Sequence, residues 1–141
     1  MPTDLADAEW TAFIAKIEAA EEEFVQGQPA SFQALWSRAD DVTLCGGFGG
    51  VERGWKNVTD RLSWVSKTFS GGTRTKEEIG RMVAGDFAYL VQKEIIRSRL
   101  GSQAELSTLE LRATMVFRRE MEGWRIVHRH ADSQAATTPP V

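Results

Sequence analysis

The sequence predicts an α+β domain: a cone-shaped fold in which three N-terminal helices pack on a curved, mainly antiparallel β-sheet and enclose a pocket. Three observations carry the prediction. Apolar residues recur at three- and four-residue steps through the first half of the chain, and the period changes to alternation from Thr73 onward. Two glycine-led pairs, Gly85-Asp86 and Gly101-Ser102, punctuate the alternating half as hairpin turns. The chain has 141 residues, the size of one domain. At that length roughly 70% of the unfolded surface is buried on folding, so no metal or disulfide is needed to hold the fold.

The first helix is expected over residues 4–26. Trp10, Phe13, Ile14, Ile17, Phe24 and Val25 fall mostly on one stripe, Asp4 offers an N-cap and Gly27 a stop. Pro29 opens a short second helix whose buried face is Phe32, Leu35 and Trp36, and Asp40 and Asp41 end it. A short strand, Val42 to Cys45, leads into Gly46-Gly47-Phe48-Gly49-Gly50. That cluster lacks the Gly-Lys-Ser/Thr ending of a phosphate loop, and no strand–loop–helix nucleotide unit surrounds it. It reads instead as a turn where the backbone bends tightly. A third helix, about residues 55–69, carries Val58, Leu62, Val65 and Phe69 on one stripe and ends at Gly71-Gly72. Three long strands, roughly 73–84, 87–100 and 104–119, and a fourth at 124–132 complete the sheet. A single domain is expected over residues 1–132. Residues 133–141, with Pro139-Pro140, read as a flexible tail.

Composition narrows the function classes. Cys45 is the one cysteine, which precludes an internal disulfide and fits a reducing compartment. Met1 to Ala8 has no basic apolar run, so no signal peptide is expected there. No stretch approaches the roughly 20 apolar residues that cross a bilayer. A cytoplasmic protein with no membrane partner is expected. The net charge is −3 and the basic residues are scattered, which argues against a nucleic-acid surface. Five tryptophans point to a well-filled core or an aromatic cavity.

Turn length sets which residues face each other across a hairpin. With Gly85-Asp86 as a two-residue loop, Ala84 pairs with Phe87, Arg81 with Leu90, Ile79 with Gln92 and Glu77 with Glu94. With Gly101-Ser102 likewise, Leu90 pairs with Ala113, Gln92 with Leu111 and Ala88 with Met115. A loop at Met121-Glu122 pairs Met115 with His128 and Ala113 with His130, and a three-residue loop there would reverse that assignment. The covered face then carries Leu90, Leu109, Leu111, Ala113, Met115, Phe117, Trp124 and Ile126. The same face holds Glu77, Arg81, Gln92, Glu94, His128, His130 and Asp132. An apolar concavity with a few convergent polar groups is the form of a small-molecule site. The outer face, with Arg112, Thr114, Arg125 and Arg129, has the mixed character of a surface that meets another subunit.

Ala-Asp-Asp-Val-Thr-Leu at 39–44, Arg-Gly-Trp at 53–55, Val-Phe-Arg-Arg-Glu at 116–120 and Gly-Trp-Arg-Ile-Val-His-Arg-His-Ala-Asp at 123–132 give the chain a resemblance. It resembles the SnoaL-like branch of the nuclear transport factor 2-like superfamily, the fold of ketosteroid isomerase, over residues 5–132. The resemblance implies a homodimer through the outer sheet face. It does not imply one reaction, since the superfamily holds isomerases, cyclases, dehydratases, epoxide hydrolases and binding domains. Ketosteroid isomerase-like enzymes use a tyrosine, an aspartate base and a protonated aspartate. Here those positions fall near Ala20, Gly46 and Met115, and all three functional groups are missing. Met115 cannot donate to a developing oxyanion.

The candidate catalytic residues are His130, His128 and Asp132, a line of titratable groups in which a carboxylate could orient a histidine base suited to neutral pH. They read equally as a polar core network or a pair at the rim. The candidate ligand-binding residues are Arg81, Gln92, Glu94, Met115, Trp36 and Trp55. Arg81 and Glu94 form either an anion-binding pair or a structural one. Cys45 reads as an inert thiol, Trp64 as core, and Glu21-Glu22-Glu23 as a solvated helix face. No cofactor and no metal are expected, since a third ligand beside the histidine pair is not evident. The expected partners are a small-molecule ligand and a second copy of the chain. Two function classes stay open: an acid–base enzyme acting on a small, largely apolar organic molecule, and a non-catalytic binder or assembly module.

Overall fold

A computed structural model describes residues 4–133, with side chains from Asp7 onward. The elements are α1 (Asp4–Phe24), α2 (Ala30–Ala34), β1 (Thr43–Cys45), β2 (Val51–Arg53), α3 (Trp55–Thr68), β3 (Phe69–Ala84), β4 (Phe87–Leu100), β5 (Leu106–Glu120) and β6 (Gly123–Ser133). The strands form one six-stranded sheet in the order β2-β1-β6-β5-β4-β3. β1 lies parallel to β6, and every other neighbouring pair is antiparallel. This is the predicted α+β cone. Of the tail expected at 133–141, Ser133 is the last residue of β6, and residues 134–141, like the Asp4 side chain, lie outside what the structure describes. Among the described residues, no helix is long and apolar enough to cross a membrane.

The helices sit where their apolar stripes direct them. Trp10, Ile14, Ile17 and Glu21, spaced by three and four, are a buried line of α1, and Val25 continues it just past the helix end. The end of α1 is tied on two sides: Ser66 Oγ of α3 donates to the Phe24 carbonyl at 2.7 Å, and Gln26 Nε2 donates to the Gly72 carbonyl. Gly72 itself passes so close that a Cβ there would overlap the Val25 carbonyl oxygen. The helix α2 is shorter than expected. After Ala34 the chain extends beside β6, with Ser37 N–H donating to the Ile126 carbonyl and Ile126 N–H to the Leu35 carbonyl, both at 2.9 Å. Gly71-Gly72 does not end α3 but lies inside β3, where the strand is irregular between Ser70 and Thr73. β2, which pairs with β1 after the glycine turn, was not anticipated from the sequence.

Registers differ from expectation in three places. In the first hairpin Ala84 faces Phe87 and Arg81 faces Leu90 as predicted, but a one-residue bulge between Glu78 and Gly80 intervenes. Beyond it Gln92 faces Glu78 and Glu94 faces Lys76, instead of Ile79 and Glu77. The second turn is wider than two residues, so Leu90 faces Met115, Gln92 faces Ala113 and Ala88 faces Phe117. That slip of two residues leaves every side chain on its predicted face. In the third hairpin the loop at 121–122 is as predicted, with Glu120 opposite Gly123 and Phe117 opposite Ile126. A bulge at Val127 then makes Val116 face His128, Met115 face Arg129 and Thr114 face His130. One inserted residue exchanges the two faces of the strand from that point on.

Candidate functional site

The helices and sheet enclose a cavity of about 70 Å³. Phe24, Phe32 and Phe69 supply aromatic walls, and Ile96, Leu111 and Ala131 line the sheet side. At the rim Gly46, Gly47 and Phe48 of the glycine turn join the lining, and Phe48 is 42% exposed. The turn is anchored to α3, since Arg61 donates to the Gly49 carbonyl at 3.1 Å and pairs with Glu52 at 2.7 Å. The turn thus forms part of the cavity wall. At Gly47 a Cβ would press on the Leu111 side chain.

Four charged residues stand among this apolar lining: Glu21, Arg74, Glu94 and Arg129. Arg129 and Glu94 form a two-pronged pair, with Nη1 donating to Oε2 at 3.0 Å and Nη2 to Oε1 at 2.7 Å. Gln92 Nε2 donates to Glu94 Oε2 at 2.6 Å from two residues earlier on the same face of β4. Arg74 Nη2 lies 3.6 Å from Glu94 Oε2 and forms an ion pair with Glu21 Oε2, without an aligned hydrogen bond. Glu21 Oε1 and Gln92 Oε1 are buried and have no hydrogen-bond partner.

The two carboxyls are driven apart. Burial pushes Glu21 up and the neighbouring Glu94 charge adds to it, so that Arg74, Arg129 and Lys76 do not compensate and its pKa is about 7. Burial acts on Glu94 too, but the Arg129 charge and its two hydrogen bonds, with Arg74 and Gln92, outweigh it and hold Glu94 at about 2. Two neighbouring carboxyls pushed in opposite directions, one up toward neutrality and one down, are the pattern of an acid–base assignment. Glu21 is the member that can exchange a proton.

The predicted site residues divide. Glu94 lines the cavity. Gln92 supports it from behind, while Met115 is fully buried in the core outside the lining. Trp36 is buried and faces the polar surface groove beside Ser37 and Glu120, and Trp55 is half-buried with the Arg38 guanidinium 4.9 Å from its ring. Arg81 is a correction: it is exposed near the hairpin end and paired with Glu78 at the surface, because the helices do not reach that end of β3. The Val127 bulge corrects the three catalytic candidates. His130 is exposed on the outer face, and His128 beside it is hydrogen bonded to Thr43 Oγ1 at 2.7 Å. Burial and the nearby His130 lower the His128 pKa. Asp132 is held by Arg112 at 3.0 and 2.8 Å on the same outer face. Cys45 is half-buried opposite His130 in the β1–β6 register. Trp64, expected in the core, is 57% exposed. Among the described residues no cluster of three or more His, Cys, Asp or Glu could hold a metal ion.

Sequence reasoning missed Glu21, Arg74 and Arg129. Glu21 was within reach, since it lies four residues after Ile17 and four before Val25 on the α1 stripe and is 6% exposed, whereas Glu22 and Glu23 are exposed. Arg74 and Arg129 were not, because each is turned inward by a bulge that leaves no mark in the apolar pattern.

A family model, the SnoaL-like domain, matches residues 14–136. No curated protein matches the chain. Among solved structures, a provisionally assigned dehydratase of the NTF2-like family from Streptomyces avermitilis is 22% identical, with 89% of this chain and 96% of that one covered and a TM-score of 0.74. An NTF2-like superfamily protein from Salmonella enterica serovar Typhimurium is also 22% identical, over 93% and 92% of the two chains, with a TM-score of 0.74. A ketosteroid isomerase-like protein from Erwinia carotovora is 15% identical, over 86% and 96%, with a TM-score of 0.66. These likenesses establish the fold.

Proposed function

The chain belongs to the SnoaL-like domain family, and from that premise we propose that its cone binds one small, largely apolar organic molecule, with Glu21 as the group that exchanges a proton with it. The observation that carries the reading is a buried carboxyl with an open oxygen, Glu21 Oε1, in the lining of an otherwise apolar cavity. An unpartnered polar atom in such a place is costly unless a ligand or water completes it. Arg74 beside it supplies a donor, and the Arg129–Glu94 pair fixes the floor. Isomerisation, cyclisation and dehydration all need one proton moved at a water-poor site, and a carboxyl titrating near neutrality is matched to that work.

The test is ligand-observed NMR with a panel of cyclohexanone, benzyl alcohol, benzamide and benzoate, repeated with Leu111→Trp, which fills the cavity. Binding by at least one of them, abolished by the substitution, is expected. Binding that survives Leu111→Trp, or no binding at all, sinks the reading. A non-catalytic binder is the second reading, and what favours it is that the resemblance to ketosteroid isomerase brings that enzyme's catalytic groups near Ala20, Gly46 and Met115, none of which can replace them. Deuterium exchange at the α-carbons of cyclohexanone separates the two. An enzyme accelerates it by roughly 10²-fold or more over Glu21→Gln, and a binder shows no difference.

A further inference from the structure

We propose that the ligand of the cone is an organic monoanion, a carboxylate on a compact apolar body, and that it enters together with one proton taken up by Glu21. This rests on the cavity reading above and narrows it to one ligand class. The cavity holds two guanidinium groups and two carboxyls. Glu94 is committed, since it accepts two hydrogen bonds from Arg129 and one from Gln92. What stays open is Glu21 Oε1, which has no hydrogen-bond partner on a side chain only 8% exposed, beside Arg74, 4% exposed, whose Nη2 is in ion-pair contact with Glu21 Oε2 while that carboxyl is charged.

With Glu21 ionised the four groups sum to zero charge, and an anion gains nothing by entering. With Glu21 protonated they sum to one positive charge inside apolar walls. A buried charge without a counter-charge is strongly unfavourable, and a monoanion cancels it. Two donors, Arg74 Nη2 and the Glu21 hydroxyl, then match the two oxygens of a carboxylate. A dianion overshoots the single charge, and a cation meets two guanidiniums. The apolar body of the ligand lies along Phe24 and Phe69 toward Phe48 at the rim.

The proton is available because of what faces Glu21. Arg74 and Lys76 approach from β3, Glu94 from β4 and Arg129 from β6. Lys76 is engaged by Glu18 of α1. α2, α3 and the glycine turn add no charged side chain to the cavity lining. Burial and Glu94 prevail, and the group titrates at about 7, so uptake is possible across the neutral range.

The experiment is calorimetric titration with benzoate, and with benzamide as its neutral counterpart, from pH 6 to 9 in two buffers of different ionisation enthalpy. Benzoate is expected to bind with uptake approaching one proton at the alkaline end, and its Kd to rise about tenfold per pH unit above the Glu21 titration. Glu21→Gln is expected to remove both the uptake and the slope, since nothing in the cavity then titrates with the entering anion. The buffer dependence of the unsubstituted protein is read without any variant. Benzamide binding as tightly as benzoate, absence of proton uptake, or uptake that persists in Glu21→Gln overturns the proposal. If benzamide or a neutral probe binds and benzoate does not, the anion class falls and the cavity reading stands. If no probe binds, both fall.

Discussion

Glu21 differs from Glu22 and Glu23, its neighbours in the same acidic run, only in where the helix turns it. That rotation sets its chemistry. In the folded chain its pKa is about 7, against an ordinary 4.5. Below 4.5 the group is protonated both folded and unfolded. Between 4.5 and 7 the unfolded chain ionises while the folded one keeps its proton, so this group makes stability fall as pH rises through that window, by on the order of 3 kcal/mol. Glu94 runs the other way: held at about 2, it contributes stability that is present above 4.5 and lost as pH falls toward 2. Urea denaturation of Glu21→Gln against the parent isolates the first effect. The variant is expected to gain roughly 3 kcal/mol relative to the parent between pH 4.5 and 7.5. A constant difference between the two proteins at both pH values would show that Glu21 is not a buried, titrating group. Glu21 was legible in the sequence, since the apolar stripe passes through it, but an acidic run invites the reading of a solvated face.

Among the elements, the bulges matter more than the strand lengths. The strands were nearly all where alternation placed them, and the two faces of β4 and most of β5 were legible, because a hairpin slip of two residues preserves side. The inserted residues near Ile79 in β3 and at Val127 in β6 were not. Each reverses the facing of everything beyond it, and between them they bring Arg74 and Arg129 in and put His128, His130 and Asp132 out. Local sequence does not mark such an insertion: Ile126 and Val127 are both buried apolar residues, and either could have been the inward one. A third irregularity brings β3 under the end of α1 at Gly72. Gly72→Ala sets a methyl against the Val25 carbonyl and is expected to lower stability by about 1–3 kcal/mol, the range for overpacking a tight contact. Denaturant titration checks it, and an unchanged midpoint would mean that α1 and β3 are less closely joined than described.

For the molecule as a whole, the cone and its single sheet followed from the change of period at Thr73, which is why the fold was readable even where the site was not. We propose that the outer sheet face pairs two copies of the chain. Tyr89 and Ile95 stand exposed there, and Arg112 is held by Asp132 in the same plane. Arg112→Glu puts two acidic side chains side by side on that face and is expected to shift light-scattering mass toward the monomer while leaving probe binding in the cavity unchanged. A parent protein that is already monomeric at micromolar concentration refutes the pairing. The parallel contact of β1 with β6 carries a consequence for how the chain matures. Thr43 meets His128 and Cys45 meets His130, so the third strand position in the sheet stays vacant until β6 has followed the other five strands out of the ribosome. Arg129 and Ala131, two residues of the cavity wall, arrive at the same late moment. Contacts of such long separation are slow to close, and a growing chain presents the apolar stripe of α1 and the inner faces of β3, β4 and β5 before they have their final cover. The cavity wall does not accumulate with length but is completed by β6, and until then the apolar faces that enclose it stay uncovered.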